Sequence, residues 1–231
     1  MLIGGHEFTE GCSFDQLLLD ELRPSAVHIL PTAAAFQNPG AALENARSYF
    51  ANLGYEIRPI YLLNRSDAFK PEVVGEISRA ELLYMIGGSP MHLRSVLRSS
   101  PAFETIVGAW ENGTCLVGSS ASAMVLGDPM IDPRGGALTI GLGVLNNLAI
   151  LCHAEEWSES TKTRTISLVR SPNLLVTIDS KTALILDTEI RALGEGRVQY
   201  LQDAKELPPD AGADQLLSRV RSRTRLPRAT Q

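Results

Sequence analysis

The chain has 231 residues, of which 44% are hydrophobic and 20% are charged, and its formal net charge is −5. These values predict a globular protein with a sizeable core and exclude a disordered or fibrous chain. The net acidity argues against nucleic acid as a partner, because phosphate binding needs clustered lysine and arginine. No apolar run reaches the ~18 residues of a membrane span, and the start "MLIGGHEF" does not read as a secretory signal.

Cysteine usage indicates the compartment. Cys12, Cys115 and Cys152 are odd in number and form no C-x-x-C pair, so neither a disulfide framework nor a zinc site is predicted. This usage is typical of a reducing compartment. We therefore expect a cytoplasmic protein that has no membrane partner and needs no metal or cofactor.

The first half of the chain alternates apolar runs with amphipathic stretches, which predicts a mostly parallel sheet covered by helices on both faces. Strands are predicted at residues 1–4, 26–30, 55–62, 81–86 and 114–118. Helices are predicted over 40–54 and 101–113 and near 158–170. The later strands "NLLVTID", "TALILD" and "RVQYLQ" predict an extension of the sheet with a β-rich edge.

Domain organisation follows from the absence of repeats and of any linker before Pro208-Pro209. We expect a single α/β domain over residues 1–207 and a basic, flexible tail over 208–231. The tail has five arginines that could contact an acidic partner, although a solvated terminus explains them more simply: Arg219, Arg221, Arg223, Arg225 and Arg228.

The stretch "GTCLVGSSASAMVLGD" (113–128) is an apolar strand followed by a turn of small residues. In the nucleophile elbow G-x-S-x-G, a serine occupies a strained turn between a strand and a helix. Ser120 takes the nucleophile position, and Ser122 replaces the second glycine. A tightly packed turn without chemistry explains the same residues equally well.

A nucleophilic serine needs a base, and the chain has four histidines. His153 ends the apolar run "LNNLAILCH", where a strand would deliver it to the carboxyl edge of a sheet. His28 lies within a predicted strand, and His92 begins a predicted helix, so His153 is the best candidate. The glycine pair in "YMIGGSPMHL" could supply oxyanion-hole amides, or could simply form a tight turn.

Together these segments resemble the S51 peptidase family, which contains dipeptidase E and cyanophycinase and has a fold related to class I glutamine amidotransferases. The similar segments lie in the family's order over roughly residues 1–190. They are "LIGGHEF", "MIGGSPMHL", "GSSASAMVLGDPMI", "GLGVLNNLAILCH" and "VTIDSKTALIL". The resemblance implies a three-layer α/β fold with Ser120 as nucleophile, His153 as base, and the Gly88 and Ala121 amides as oxyanion hole.

The third member of a catalytic triad is harder to assign, because Ser180 stands where the cyanophycinase-like branch has an acid. Glu155 is the preferred replacement, since it follows His153 at the H-x-E spacing of glutamine amidotransferases. Asp128 after the elbow and Asp179 beside the lost position are the alternatives.

The sequence thus predicts a cofactor-free serine peptidase or amide hydrolase that acts on a small peptide. A peptide with an acidic residue at the scissile bond is one candidate substrate. The missing acid and the serine at position 122 keep a catalytically silent binding module as the alternative. A glutamine amidotransferase is less favoured because Ser120, not cysteine, takes the nucleophile position. A homodimer is compatible with the sequence, which gives no direct sign of oligomeric state.

Overall fold

The computed structural model describes residues 1–221, and within them strands and helices alternate as predicted. The strands are β1 (Leu2–Ile3), β2 (Val27–Leu30), β3 (Ile57–Pro59), β4 (Leu82–Met85), β5 (Cys115–Ser119), β6 (Gly127–Asp128), β7 (Met130–Ile131), β8 (Leu138–Thr139), β9 (Leu145–Asn146), β10 (Leu148–Cys152), β11 (Leu174–Ile178), β12 (Thr182–Leu186), β13 (Ile190–Gly194), β14 (Val198–Gln202) and β15 (Lys205–Glu206). The helices are α1 (Ser13–Leu22), α2 (Pro39–Asn52), α3 (Pro71–Ser78), α4 (Pro90–Leu97), α5 (Pro101–Glu111), α6 (Ala121–Leu126), α7 (Glu159–Leu168) and α8 (Pro209–Arg221).

The central sheet has seven strands in the order β13-β12-β1-β5-β4-β2-β3. The five strands predicted in the first half of the chain run parallel to one another. Strand β12 pairs antiparallel with β1, and β13 pairs antiparallel with β12. The predicted α/β class with a mostly parallel central sheet is confirmed.

The later strands differ from the prediction, because only β12 and β13 extend the central sheet. Strands β10, β11 and β14 belong to a second sheet with the order β15-β14-β11-β10-β6-β9. Every residue of β10 and β11 is buried, so these strands need packing partners on both faces and cannot form an exposed edge. One large apolar cluster joins residues of both sheets.

The first part of the predicted tail forms helix α8, which ends at Arg221. Gly212, Leu216 and Val220 recur every four residues and are buried, and the helix packs against β14. The Arg219 guanidinium donates hydrogen bonds to the carbonyls of Asn147 and Pro172. Arg221 is the last residue of α8, and Arg223, Arg225 and Arg228 lie outside the described residues.

No helix within residues 1–221 is both long enough and apolar enough to cross a lipid bilayer.

Candidate active site

Ser120 lies at the carboxyl end of β5, immediately before α6. Its backbone has φ 50° and ψ −116°, a conformation that non-glycine residues rarely adopt. A Cβ at Gly118 would come within 3.1 Å of the Ala123 nitrogen, so the strand can approach the helix closely only with a residue as small as glycine. The short turn therefore presents the Ser120 side chain at the edge of the sheet, as in a nucleophile elbow.

Ser122 replaces the expected glycine without distorting this turn. It has no positive φ angle, so its backbone does not require glycine. Its side chain is buried, and its hydroxyl donates a 2.6 Å hydrogen bond to the carbonyl of Ile86. Ser122 thus connects α6 to the segment that follows β4.

His153 follows β10, and its ring meets Ser120 across the junction of the two sheets. The Ser120 Oγ and His153 Nε2 atoms are 2.9 Å apart, a hydrogen-bond distance. Gly5 makes room for this ring, because a Cβ at Gly5 would overlap the imidazole. Gly5 also has φ +128°, a region that favours glycine.

The end of β1 and the two glycines after it hold this arrangement together through three consecutive carbonyls. The backbone N–H of Ser120 donates to Ile3 O at 2.9 Å, and that of His153 donates to Gly4 O at 2.9 Å. The N–H of Lys181, the residue after Ser180, donates to Gly5 O at 3.0 Å. Because these bonds fix backbones, the relative positions of the three segments do not depend on flexible side chains.

The other ring nitrogen of His153 leads to an acid through Ser180. His153 Nδ1 lies 3.0 Å from Ser180 Oγ, which donates a 3.0 Å hydrogen bond to Glu156 Oε1. The same carboxylate oxygen lies 3.5 Å from Nδ1. A carboxylate is therefore linked to the imidazole by one hydroxyl group.

Glu155, the preferred acid from the sequence, has a different place. Its two carboxylate oxygens accept hydrogen bonds from the backbone N–H of Ser180 at 3.0 and 3.1 Å. Burial alone would raise the pKa of Glu155, but the hydrogen bonds from Ser180 and the nearby His153 lower it below its ordinary value. Glu155 therefore holds the Ser180 backbone and makes no hydrogen bond to the ring.

The two other proposed acids do not bond to His153. Asp128 Oδ1 accepts from the N–H of Gly141 at 3.1 Å, and Asp179 Oδ2 accepts from the N–H of Arg197 at 2.9 Å. Sequence reasoning missed Glu156 and the bridging role of Ser180. The available signal was the acidic pair 155–156 after the histidine, together with a hydroxyl at the position where an acid was expected.

The glycine pair after β4 lies beside the elbow. A Cβ at Gly87 would be 3.2 Å from the Ser120 Cβ. The Gly87 N–H donates to Glu7 Oε1 at 2.7 Å, and Glu7 Oε2 accepts from Ser119 Oγ at 2.7 Å. The Glu7 carboxylate thus ties the glycine loop to the last residue of β5.

The backbone N–H groups of Gly88 and Ala121 remain available. Within residues 1–221 neither donates to an acceptor, although Gly88 is held firmly at φ +141° against the backbone of Ala33. Unpaired backbone donors near a serine hydroxyl are the groups from which an oxyanion hole is built.

The remaining histidines have other partners. His28 is buried within β2, and His92 Nε2 lies 2.8 Å from the carbonyl of Leu63. His6 Nε2, in contrast, lies 3.1 Å from Glu156 Oε1, on the Nδ1 side of His153.

An open cleft of about 380 Å³ adjoins His153. Its cationic side chain is Arg134, which is 77% exposed and makes two hydrogen bonds, of 3.0 and 2.7 Å, to the carboxylate of Asp132. The lining residues are Pro133, Arg134, His153, Glu156, Trp157, Ser158 and Thr161.

The fold and this site define a class I glutamine amidotransferase-like α/β protein with a serine at the elbow. The sequence model of peptidase family S51 matches residues 1–188. The chain belongs to peptidase family S51, as its segments predicted.

Two cyanophycinases with similar sequences agree with this assignment. Cyanophycinases of Synechococcus elongatus and of Thermosynechococcus vestitus are each 26% identical over 187 residues. That match covers 75% of this chain and 58% of each relative, so the chain spans little more than half the length of these proteins.

Two solved structures are also similar. The crystal structure of a peptidase from an acI-B1 actinobacterium has a TM-score of 0.78 and 26% identity, over 89% of this chain and 91% of that one. A putative peptidase E protein from Listeria monocytogenes has a TM-score of 0.66 and 16% identity, over 84% of this chain and 97% of that one. The second likeness supports the fold alone.

Proposed function

We propose that this protein is a serine peptidase that hydrolyses an amide bond of a small peptide. The observation that supports this most directly is the 2.9 Å contact between Ser120 Oγ and His153 Nε2 at a strained elbow. A nucleophile within hydrogen-bond reach of a base, with the base oriented by a third group, is the arrangement that acyl transfer requires.

The reaction proceeds by acyl transfer. Ser120 Oγ attacks the substrate carbonyl while His153 Nε2 takes its proton, and the N–H groups of Gly88 and Ala121 stabilise the oxyanion that forms. His153 then gives the proton to the leaving amine, which departs. Water, activated by the same imidazole, hydrolyses the acyl-enzyme and restores the serine.

Ser180 and Glu156 act as positioning residues for the base. The Nδ1–H group donates to Ser180 Oγ, whose own proton points at the Glu156 carboxylate, so the ring keeps its acceptor nitrogen toward Ser120. This arrangement also stabilises the imidazolium that forms during attack. The catalytically silent alternative depended on a missing acid, and a carboxylate linked through Ser180 weakens that argument.

The substrate we propose is a short peptide with an acidic residue beside the scissile bond. Arg134 lines the cleft next to His153 and is largely exposed, so a substrate carboxylate could replace Asp132 as its bidentate partner. An open cleft of this size accommodates a peptide of a few residues better than it accommodates a folded protein.

Two further expectations concern the cell. The cysteines at positions 12, 115 and 152 are free, which supports the cytoplasmic location proposed from the sequence. The homodimer stays a prediction, which size-exclusion chromatography with light scattering would test.

A fluorophosphonate probe tests the proposed activity, because it reacts with an activated serine and needs no known substrate. We expect labelling of the folded protein, mapped by mass spectrometry to Ser120, and loss of the label in Ser120→Ala. Ser95→Ala, which changes an exposed helical serine, is the matched control and should label normally. A folded protein that does not label at Ser120 between neutral and mildly alkaline pH would contradict the proposal.

A further inference from the structure

Three metal-ligating side chains converge on the side of His153 that faces away from Ser120. His6, His153 and Glu156 each offer one ligand atom, and these atoms lie within 4.8 Å of one another. Glu156 Oε1 is the common neighbour, at 3.1 Å from His6 Nε2 and 3.5 Å from His153 Nδ1. The serine peptidase mechanism makes no use of His6, so the cluster has a member whose purpose is unexplained.

The chemistry and spacing of the cluster fit zinc. Two imidazole nitrogens and one carboxylate oxygen are ligands that suit Zn²⁺ better than Mg²⁺ or Ca²⁺, which prefer oxygen alone. Zn–N bonds of about 2.0–2.1 Å at tetrahedral angles separate neighbouring ligand atoms by about 3.3 Å. The distances from Glu156 Oε1 to His6 Nε2 and to His153 Nδ1 lie on either side of that value, at 3.1 and 3.5 Å. All three ligand atoms lie within 4.8 Å of one another, so a modest rearrangement would bring them around one ion.

The backbone around His6 keeps its imidazole near the cluster. His6 has φ 56°, and its carbonyl accepts hydrogen bonds from Thr9 Oγ1 at 2.6 Å and Cys12 Sγ at 3.4 Å. Its ring lies edge-on to that of His153, with centroids 5.4 Å apart. His6 and Glu156 are about half exposed, so an ion can reach them from solvent and small side-chain rotations can close the site.

We propose that Zn²⁺ binds to His6, to His153 through Nδ1 and to Glu156, and that the bound ion switches off the Ser120 nucleophile. Three protein ligands leave the fourth tetrahedral position to water. The second half of this inference rests on the proposed peptidase activity, whereas the first half does not.

Zinc would inhibit Ser120 because the two nitrogens of the His153 ring share one proton. A neutral imidazole has a single N–H proton, and a base that accepts from Ser120 must have that proton on Nδ1. A zinc ion bound through the Nδ1 lone pair requires the proton to move through solvent to Nε2. The protonated Nε2 then donates to Ser120 Oγ and cannot accept its proton, and Glu156 is no longer available to Ser180.

The experiment measures zinc affinity and serine labelling separately, on the full chain after treatment with EDTA and buffer exchange. Competition with a chromogenic zinc chelator gives the dissociation constant for the unmutated protein and for His6→Asn, Glu156→Gln and His92→Asn. Asparagine is chosen at position 6 because it tolerates a positive φ better than most residues. His92→Asn is the matched control, since His92 bonds to Leu63 and lies outside the cluster.

We expect His6→Asn and Glu156→Gln each to weaken zinc binding by about tenfold or more, since removal of a direct ligand should cost at least as much as loss of an outer-shell partner. His92→Asn should bind as the unmutated protein does. Zinc should suppress Ser120 labelling of the unmutated protein, and a higher zinc concentration should be needed for the same suppression in His6→Asn. For each protein, the labelling rate in zinc is compared with the rate of the same protein in EDTA.

Equal affinities of the unmutated protein and a folded His6→Asn variant would overturn the site. Zinc binding that depends on His6 but leaves Ser120 labelling unchanged would overturn coordination through His153 Nδ1. Absence of labelling in EDTA would instead count against the proposed peptidase, and the affinity comparison would still decide whether the zinc site exists.

Discussion

The two sides of the His153 ring are built differently. On the Nε2 side, Ser120 and His153 both have strained backbones, follow buried strands and are bonded to the carbonyls of Ile3 and Gly4. On the Nδ1 side, Glu156 lies on a turn and is about half exposed, and it shares its carboxylate oxygen with Ser180 and His6. Ser120 and His153 are thus fixed by the backbone, whereas Glu156 depends on exchangeable side-chain contacts.

This difference would allow the carboxylate on the Nδ1 side to be exchanged while Ser120 and His153 keep their places. A backbone-defined position can be lost only by disrupting packing, which is costly in a dense core. A half-exposed carboxylate can be replaced by a neighbour with little effect on stability.

The largest effect is expected on the backbone-fixed side, from Gly5→Ala. The added methyl group would overlap the imidazole of His153 and displace it from Ser120. The rate of fluorophosphonate labelling should fall by about 10²-fold for a 1 Å misplacement, and by up to about 10⁶-fold if the base is lost. Gly54→Ala is the control, because Gly54 also has a positive φ, +85°, but an added Cβ there meets nothing within 4 Å. Equal rates in the two variants would show that His153 does not depend on Gly5.

Asp15, a carboxyl group buried in helix α1, should titrate in the direction opposite to Glu155. Burial raises the pKa of Asp15 to about 7. The hydrogen bond from Tyr49 lowers this pKa, whereas the negative charge of Glu7 raises it further. Tyr84 faces the same group, and burial raises the pKa of its phenol as well. The folded state therefore keeps a proton on Asp15 that the unfolded chain loses near its ordinary pKa of about 3.9.

Because the folded state binds this proton more tightly than the unfolded state, raising the pH should lower the stability of the protein. The contribution of Asp15 to stability is fully present below about pH 4 and falls by about 1.4 kcal/mol per pH unit until about pH 7. Urea unfolding of the unmutated protein and of Asp15→Asn should give free energies whose difference shifts in favour of the variant over this range and is flat above it. A difference that does not vary between pH 4 and 7 would show that Asp15 is ionised in the folded state.

On the exchangeable side, Glu156→Gln should lower the labelling rate by about 10- to 100-fold, less than the roughly 10⁴-fold known for a triad acid bonded directly to its histidine. The smaller loss is expected because Ser180 still accepts from Nδ1 when the carboxylate is neutral. Glu155→Gln should have a weaker effect, since Glu155 holds only the Ser180 backbone. The sequence favoured Glu155 as the acid, so a larger loss in Glu155→Gln would restore that interpretation.

Asp128→Asn and Asp179→Asn extend this comparison, since both carboxylates bond to backbone N–H groups away from the ring. Their labelling rates should stay close to that of the unmutated protein. A loss in either variant that exceeds the loss in Glu156→Gln would place the acid elsewhere.

The smallest effect is expected from Ser122→Gly, which restores the common elbow pattern. The variant loses the hydrogen bond to Ile86 O and gains backbone freedom, so the free energy of unfolding should fall by about 1–2 kcal/mol. The labelling rate should change little, because the backbone at 122 does not require glycine. A marked increase in rate would mean that the serine restrains the elbow.

The sequence predicted the parallel sheet and the meeting of Ser120 with His153, because both follow strongly apolar strands. It did not predict that these strands, β5 and β10, belong to two different sheets. It did not predict Ser180 and Glu156, since their contact depends on the rotamers of half-exposed side chains on two turns that are distant in sequence. Helix α8 was missed because its apolar stripe, Gly212, Leu216 and Val220, is short and begins with a residue that has no side chain.

The three carbonyls of residues 3 to 5 also have a consequence for biosynthesis. These residues are synthesised well before their hydrogen-bond partners Ser120, His153 and Lys181. Contacts of such long sequence separation form slowly and late in folding. A nascent or partly folded chain should therefore have no assembled site, and hydrolytic activity should arise only with the last steps of folding.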